Sequence, residues 1–531
     1  MVQQRRKYPV GIQTFSEIIQ ESYLYVDKTQ LIYDLVHYAK FIFMSRPRRF
    51  GKSLLTSTLE SYFRGEKDLF KGLGIMELEA DWQQYPVIHL DLSIAKGKES
   101  AADLQRAINL MLSRLDEYED HPEEVKPGEK LDGMIRRLYG KTGKKVAVIV
   151  DEYDAPLLDV IHNNDTLSAM RRVMQEFYQP LKANERFIKF CFITGITKFS
   201  QLSIFSTINN IKNISLLPQF ATICGFTEQE VKTIFLPDIQ RLAQGYHLSD
   251  EEMYEKIKLQ YDGYRFAGNA EPVFNPFSLL NAFGDGELQS YWFASGTPTF
   301  LIRQMKHFHT DITSLDRLEV PSTAFDQPTE NMQDALPLLY QSGYLTIKNY
   351  DRESQIYTLS IPNQEVRVGY TRGLLPTYVG LNDADVQTGF ALKFWRALKN
   401  DDIDQAMAYM QTYLASIPYV EGFKKKLAEA KTKEGFYEYT FYLIFSMLNV
   451  YVRTQVKVAG GRIDMIVLMP ETIYIMEMKI GDSAYNALRQ INEKEYAKPF
   501  ATDGRRIVKV GIRFDAEKHT VDEWVKEAMT H

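Results

Sequence analysis

The apolar run Phe41-Ile42-Phe43-Met44 ends in Ser45-Arg46-Pro47-Arg48-Arg49-Phe50-Gly51-Lys52-Ser53, and Leu54-Leu55-Thr56-Ser57-Thr58-Leu59 then follows a helical pattern. A strand apolar on both faces, a basic turn and a helix, in that order, commit the surrounding chain to a parallel α/β sheet covered on both sides. The turn is close to the phosphate-binding pattern G-x-x-x-x-G-K-[ST], in which backbone amides at a helix N-terminus face an anion. Gly51, Lys52 and Ser53 supply its last three positions, and Arg46 stands where the first glycine is expected. On this reading the ligand is ATP. Lys52 contacts the β- and γ-phosphates and the Ser53 hydroxyl holds Mg²⁺. Arg46, Arg48 and Arg49, with Phe50 closing the turn, crowd positive charge around the same loop. The competing reading is a basic surface turn.

A second segment argues against that plain alternative. Val146-Ala147-Val148-Ile149-Val150 is an unbroken apolar run ending in Asp151-Glu152. It places two carboxylates at the C-terminal edge of a parallel sheet, where such sheets bind ligands. Asp151 is expected to hold Mg²⁺ through water, and Glu152 to orient or deprotonate an attacking water. Asp154 is expected to cap a helix from Pro156 onward. Thr194 and Thr197, after the next strand, offer hydroxyls to sense a γ-phosphate.

Strand-like runs fall at 40–45, 86–92, 145–150 and 188–194, with helical patterns at 52–62, 101–118 and 167–183. From Phe226 the grammar changes to helices, opened by the capping signal Thr227-Glu228-Gln229-Glu230. A helix at 336–342 and a hairpin formed by 344–349 and 355–360 suggest a winged-helix-like lid. The expected domains are therefore a P-loop ATPase at 1–225, a helical and winged-helix-like lid at 226–364, a helical linker at 365–430 and a compact α/β unit at 431–531. That last unit reads as a helix, three or four strands and a second helix, ending near Phe514.

Pro9-Val10-Gly11-Ile12-Gln13-Thr14-Phe15, Tyr25-Val26-Asp27-Lys28-Thr29 and the loop 46–53 resemble the AAA-ATPase-like family common in Bacteroidetes. Asp151-Glu152-Tyr153-Asp154, Thr194-Gly195-Ile196-Thr197-Lys198 and Asn209-Asn210 are similar to its later blocks. The resemblance covers nearly the whole chain. It implies that Arg46 in place of glycine is the family pattern, and that a PD-(D/E)XK nuclease-like domain closes the chain.

The C-terminal segment supports the same expectation from geometry. Runs 462–469 and 472–480 flank Pro470-Glu471, and a hairpin centred there sets Met469 against Thr472 and Asp464 against Glu477. Directly opposed residues in an antiparallel pair have Cβ atoms ~5 Å apart. Two carboxylates so close call for a cation, Mg²⁺ or Mn²⁺, between them. Lys479 shares the face of Glu477 and is expected to orient water and offset charge on a scissile phosphate. This Asp…Glu-x-Lys arrangement resembles the PD-(D/E)XK fold. Upstream, Glu434 and Glu438 share a helical face and either suits a third acidic ligand; the family pattern favours Glu434, and Glu438 departs from the histidine frequent at its position. The resemblance also implies that Gln490 is the active-site glutamine. The bland alternative is a hairpin with a solvated acid–base face.

With 531 residues the chain is too long for one core. Its formal charge of −6 gives no global attraction to nucleic acid, so a nucleic-acid site must be a local basic surface. Lys424, Lys425, Lys426, Lys431 and Lys433 form one such stretch, although a solvated helix face explains them as well. Cys191 and Cys224 exclude a disulfide framework and a cysteine zinc cluster. His162, His307 and His309 lack the spacing of a zinc site. No apolar run is long enough to span a membrane and no signal-peptide core opens the chain, so a cytoplasmic location is expected. The function expected is an ATPase coupled to metal-dependent nucleic-acid cleavage, of DNA before RNA, in defence or mobile-element biology, with room for an oligomer. The rival is a nucleotide-switched signalling or scaffold protein whose nuclease fold only binds nucleic acid or a partner.

Overall fold

The computed structural model describes residues 6–161, 163–198, 211–294, 301, 304–305, 308, 315, 317–328, 332, 334–370, 390, 393–394, 396–416, 451–458, 461–469, 471–515 and 520–529. Glu434, Glu438, Asn209, Asn210, the 424–433 lysines and His162, His307 and His309 lie outside them. The chain divides into two compact units, Met1–Trp292 with Arg317–Asn363, and Phe293–Asp316 with Gln364–His531.

In the first unit, strands β1 (Phe41–Ser45), β2 (Val87–Asp91), β3 (Val146–Asp151), β4 (Ile188–Gly195) and β5 (Lys212–Asn213) form a parallel sheet in the order β2-β3-β4-β1-β5. Every residue of β3 is buried, which is why its sequence is continuously apolar until Asp151. Strand β4 lies between β1 and β3, so the basic loop and the Asp151-Glu152 pair emerge on either side of it at one sheet edge. Helices Lys52–Phe63, Ala101–Leu112, Pro127–Thr142 and Asn164–Ala183 accompany the sheet. Ser100 and Asn163 cap two of them by accepting from Asp103 N and Thr166 N. The helix Pro127–Thr142 and the short β5 are absent from the sequence reading. The first has glycines at 128, 133 and 140, which dilute its apolar stripe, and the second has two residues only.

The same unit continues through residues 226–292 and 317–363. Strands β6 (Phe226–Thr227) and β7 (Val273–Phe274) pair antiparallel. Helices Glu228–Ile234, Leu236–Tyr246, Asp250–Tyr261 and Pro276–Asp285 enclose a core that includes Phe235, Leu242, Ile257, Tyr261 and Phe283. Thr227 and Glu230 form the expected capping box. Strands β8 (Leu318–Pro321), β9 (Thr346–Asp351) and β10 (Ile356–Ser360) form an antiparallel sheet in the order β8-β10-β9, with a helix, Leu336–Gln341, between β8 and β9 in the chain.

The second unit holds the helix Ile403–Ser416 and a five-stranded sheet in sequence order: β11 (Tyr451–Val458), β12 (Gly461–Leu468), β13 (Thr472–Ile480), β14 (Arg506–Asp515) and β15 (Thr520–Met529). All neighbours are antiparallel except β13 and β14. The helix Ala484–Glu493 makes that parallel crossover and buries Ala484, Ala487, Leu488 and Ile491. Strand β15 extends the unit beyond Phe514. Its sequence, Thr-Val-Asp-Glu-Trp-Val-Lys-Glu-Ala-Met, alternates poorly, and its place is set by pairing with β14. Among the described residues, no helix is long and apolar enough to cross a membrane.

Candidate functional site

The basic loop leaves β1 and turns into the helix Lys52–Phe63 through Gly51, whose φ of 90° is a left-handed conformation that favours glycine. A Cβ there would meet nothing, so the requirement is backbone geometry and not space. No side chain caps this helix, which leaves its first-turn amides to an anion. Lys52 is buried, and its Nζ donates to the carbonyls of Arg46 (3.0 Å) and Pro47 (2.9 Å). Burial pulls its pKa down, against the upward pull of Asp151, Asp154 and Glu152. Ser53 lies half-buried in the first turn, and Thr56 Oγ1 reaches Asp151 Oδ2 at 3.4 Å. Asp151 Oδ1 in turn accepts from Glu152 N at 2.8 Å. Burial raises the Glu152 pKa, with Lys52 opposing and Asp151, Asp91 and Asp154 adding to the rise. A lysine, a helix N-terminus and two acids thus share one sheet edge. That donor set suits a triphosphate with its Mg²⁺.

The arginines of the loop divide. Arg48 and Arg49 are exposed, with the Arg49 guanidinium 4.7 Å from the Phe277 ring centre. Arg46 is 1% exposed and differs. Its guanidinium donates to the carbonyls of Ser45 (2.9 Å), Ser215 (2.9 Å) and Phe220 (3.1 Å) and lies over Phe266. The phosphate contact expected of Arg46 is therefore corrected: it braces β1 against the chain after β5. Phe50 does not face the loop either. It is buried, with ring centres 4.7 Å from Tyr264 and 5.1 Å from Phe266. Trp292 Nε1 donates to Arg48 O at 3.2 Å, and a Cβ on Gly343 would lie 2.7 Å from Pro47 Cβ. Tyr264, Phe266, Trp292 and Gly343 thus pack around the loop.

Two further expectations are corrected. Thr194 is buried and its Oγ1 donates to Met44 O at 2.8 Å, a bond between β4 and β1 that occupies the hydroxyl expected to sense phosphate. Asp154 makes no side-chain cap to the helix Ala155–Leu158. Its Oδ2 instead accepts from Thr197 N (2.6 Å), Thr197 Oγ1 (2.6 Å) and Ile196 N (3.1 Å).

In the second unit the β12–β13 register runs from Leu468↔Ile473 to Met465↔Met476. One step further sets Asp464 opposite Glu477, the pairing counted from the turn. Asp464 Oδ2 accepts from Met478 N at 2.9 Å. Glu477 is 2% exposed, its Oε1 accepts from Gln490 Nε2, and Lys479 Nζ lies 3.6 Å from the same oxygen. Its Oε2 is buried with no hydrogen-bond partner among the described residues. Burial and Asp464 push the Glu477 pKa up to about 8, with Lys479 opposing. An unpartnered buried carboxylate oxygen beside a second acid is a donor set that fits a hard divalent cation. Among the described residues no three His, Cys, Asp or Glu side chains converge as metal ligands, so the described part of the site offers two.

Gln490 reaches Glu477 because its helix lies very close to the sheet. Gly511 on β14 pairs with Glu477 on β13, and a Cβ on Gly511 would lie 2.1 Å from Ala484 O and 2.6 Å from Leu488 N. The sequence signal for this was a glycine inside an apolar strand, a mark of close backbone approach.

Comparison with known proteins finds matches over the regions that carry the two sites. Residues 9–205 match the family described as Predicted AAA-ATPase, and residues 432–524 match the PD-(D/E)XK nuclease superfamily. A protein of Azotobacter chroococcum mcd 1, described as "Uncharacterized protein in vnfD 5'region", is 31% identical over 538 residues, covering 99% of this chain and 99% of its own.

Proposed function

This chain belongs to the predicted AAA-ATPase family and ends in a PD-(D/E)XK nuclease superfamily domain, and on that footing we propose that it hydrolyses ATP and cleaves nucleic acid, DNA before RNA, with a divalent metal. The observation that carries the nuclease reading is Glu477. A buried carboxylate between Asp464, Lys479 and Gln490, with one oxygen unpartnered among the described residues, is costly to the fold in its ionised form unless a cation compensates it. Asp464 and Glu477 would hold Mg²⁺ or Mn²⁺, and Glu434 is the proposed third ligand. Bound there, the ion would polarise a phosphoryl oxygen and lower the pKa of a water. Gln490 fixes the rotamer of Glu477, and Met478 N fixes Asp464. Lys479 brings an ammonium to the edge, where it orients water and offsets charge on the scissile phosphate.

At the nucleotide edge, Lys52 and the first-turn amides bind phosphate, with Arg48 and Arg49 adding positive charge. Asp151 and Ser53 would hold Mg²⁺, which would neutralise charge on the phosphates. Glu152, whose burial raises its pKa and makes its carboxylate a stronger base, is the group suited to orient the attacking water and accept its proton. The experiment is cleavage of supercoiled plasmid, single-stranded DNA and RNA by the full chain with Mg²⁺ or Mn²⁺. Cutting that disappears in Glu477→Ala supports the nuclease. Intact substrate under every condition, with ATP still hydrolysed, would instead favour a nucleotide-switched binding protein.

A further inference from the structure

Glu152 has a φ of 47°, a left-handed conformation unusual for a residue with a Cβ, at the position assigned to the attacking water's base. Its neighbours hold it there from both sides. Asp151 Oδ1 accepts from Glu152 N at 2.8 Å, and Glu152 O accepts from Ala155 N at 3.0 Å. The two residues that follow are laced to the chain leaving β4. Tyr153 N donates to Thr194 O (3.1 Å) and Tyr153 Oη donates to Thr197 O (3.0 Å). Asp154, 1% exposed, receives two backbone amides and one hydroxyl from Ile196 and Thr197. The approach is so close that a Cβ on Gly195 would lie 2.3 Å from Asp154 Oδ1 and 2.6 Å from the Tyr153 ring.

We propose that Asp154 is a positioning residue for ATP hydrolysis, tying the chain after β3 to the chain after β4 so that Glu152 is held in its bent conformation facing the nucleotide edge. The role rests on the ATPase reading above. It differs from a plain structural staple, because the clamp lies two residues from Glu152 and the intervening Tyr153 is anchored to the same segment. It differs from a direct chemical role, because the contacts centre on Oδ2, with Ile196 N shared with Oδ1 at 3.2 Å, as acceptor bonds that a side-chain amide oxygen can also accept. Displacing a reacting group by about 1 Å can lower a rate on the order of 100-fold without touching the substrate.

The test measures kcat and KM for ATP, ADP binding and thermal unfolding on the full chain, with Asp154→Ala, Asp154→Asn and the isosteric Thr197→Val. Asp154→Ala is expected to lose kcat on the order of 100-fold with ATP KM and ADP affinity unchanged, Asp154→Asn to recover most of the rate, and Thr197→Val to fall between. An Asp154→Asn protein as slow as Asp154→Ala would assign the carboxylate a direct chemical role and overturn the proposal. So would an unchanged kcat in Asp154→Ala, or a parallel loss of affinity and rate. Should Asp154→Ala fail to fold, Thr197→Val decides: lower kcat at unchanged affinity supports the role, and wild-type kcat overturns it. A wild-type chain inert towards ATP would sink the ATPase reading and the positioning role with it, a result distinct from an active wild type indifferent to these variants.

Discussion

At Glu477, burial and the neighbouring Asp464 raise the carboxyl pKa to about 8 from an ordinary 4.5. In metal-free protein the folded state therefore holds a proton that the unfolded chain releases. That contribution to stability is present below pH 4.5 and is lost as the pH rises through about 8. A divalent ion must displace the same proton, so Mn²⁺ affinity is expected to rise about tenfold per pH unit below the raised pKa. Calorimetric titration at several pH values checks this, and a pH-independent affinity would contradict it. Arg46 makes a prediction of a different kind. Removing its guanidinium leaves the carbonyls of Ser45, Ser215 and Phe220 without that donor in a buried setting. Arg46→Ala is expected to destabilise the first unit by about 3 kcal/mol, and Arg46→Lys to recover little, because an ammonium cannot reproduce the planar fork. Urea denaturation measures both. Lysine restoring full stability would show that charge alone suffices.

The helix Ala484–Glu493 and strands β13 and β14 form the element on which the nuclease reading depends. Gly511→Ala would drive a methyl into Ala484 O and Leu488 N, both backbone atoms, so the helix must shift away from Glu477. We expect a stability loss of about 2 kcal/mol and loss of cleavage, read by chemical denaturation and plasmid nicking; wild-type cutting would show that Gln490 is dispensable. Much of this element was legible in the sequence. The turn at 470–471 let the register be counted, and side-chain alternation placed Lys479 on the face of Glu477. The runs of β1 and β3 were legible for a related reason: strands buried on both faces have nearly continuous apolar sequences, and β2 and β4 depart from that mainly at His89 and Lys189. The tertiary partners were not legible. Thr194, Asp154 and Arg46 are polar residues beside a motif, and most of their hydrogen-bond partners come from chain distant in sequence. The same holds for Phe50, set edge-on against both Tyr264 and Phe266. Phe50→Ala is expected to cost about 3 to 5 kcal/mol and to weaken ATP binding by loosening the loop. An unchanged urea midpoint would contradict that packing role.

One chain joins a nucleotide edge built by β1, β3 and β4 to a carboxylate pair built by β12 and β13. Neither composition nor net charge points to nucleic acid, so the association of the two chemistries rests on local geometry and on membership of the family. We propose that ATP times cleavage, with Lys52 as the residue through which nucleotide acts and Glu477 as the residue through which cutting occurs. The most direct measurement is the initial rate of plasmid nicking by the full chain in Mg²⁺ or Mn²⁺, with and without saturating ATP, beside Lys52→Ala and Glu477→Ala. Coupling of the two sites predicts a wild-type rate that changes about tenfold or more with ATP, the size of a typical coupling between sites, a Lys52→Ala rate that ignores ATP, and no cutting by Glu477→Ala. Equal wild-type rates with and without ATP, matched by Lys52→Ala, would contradict it.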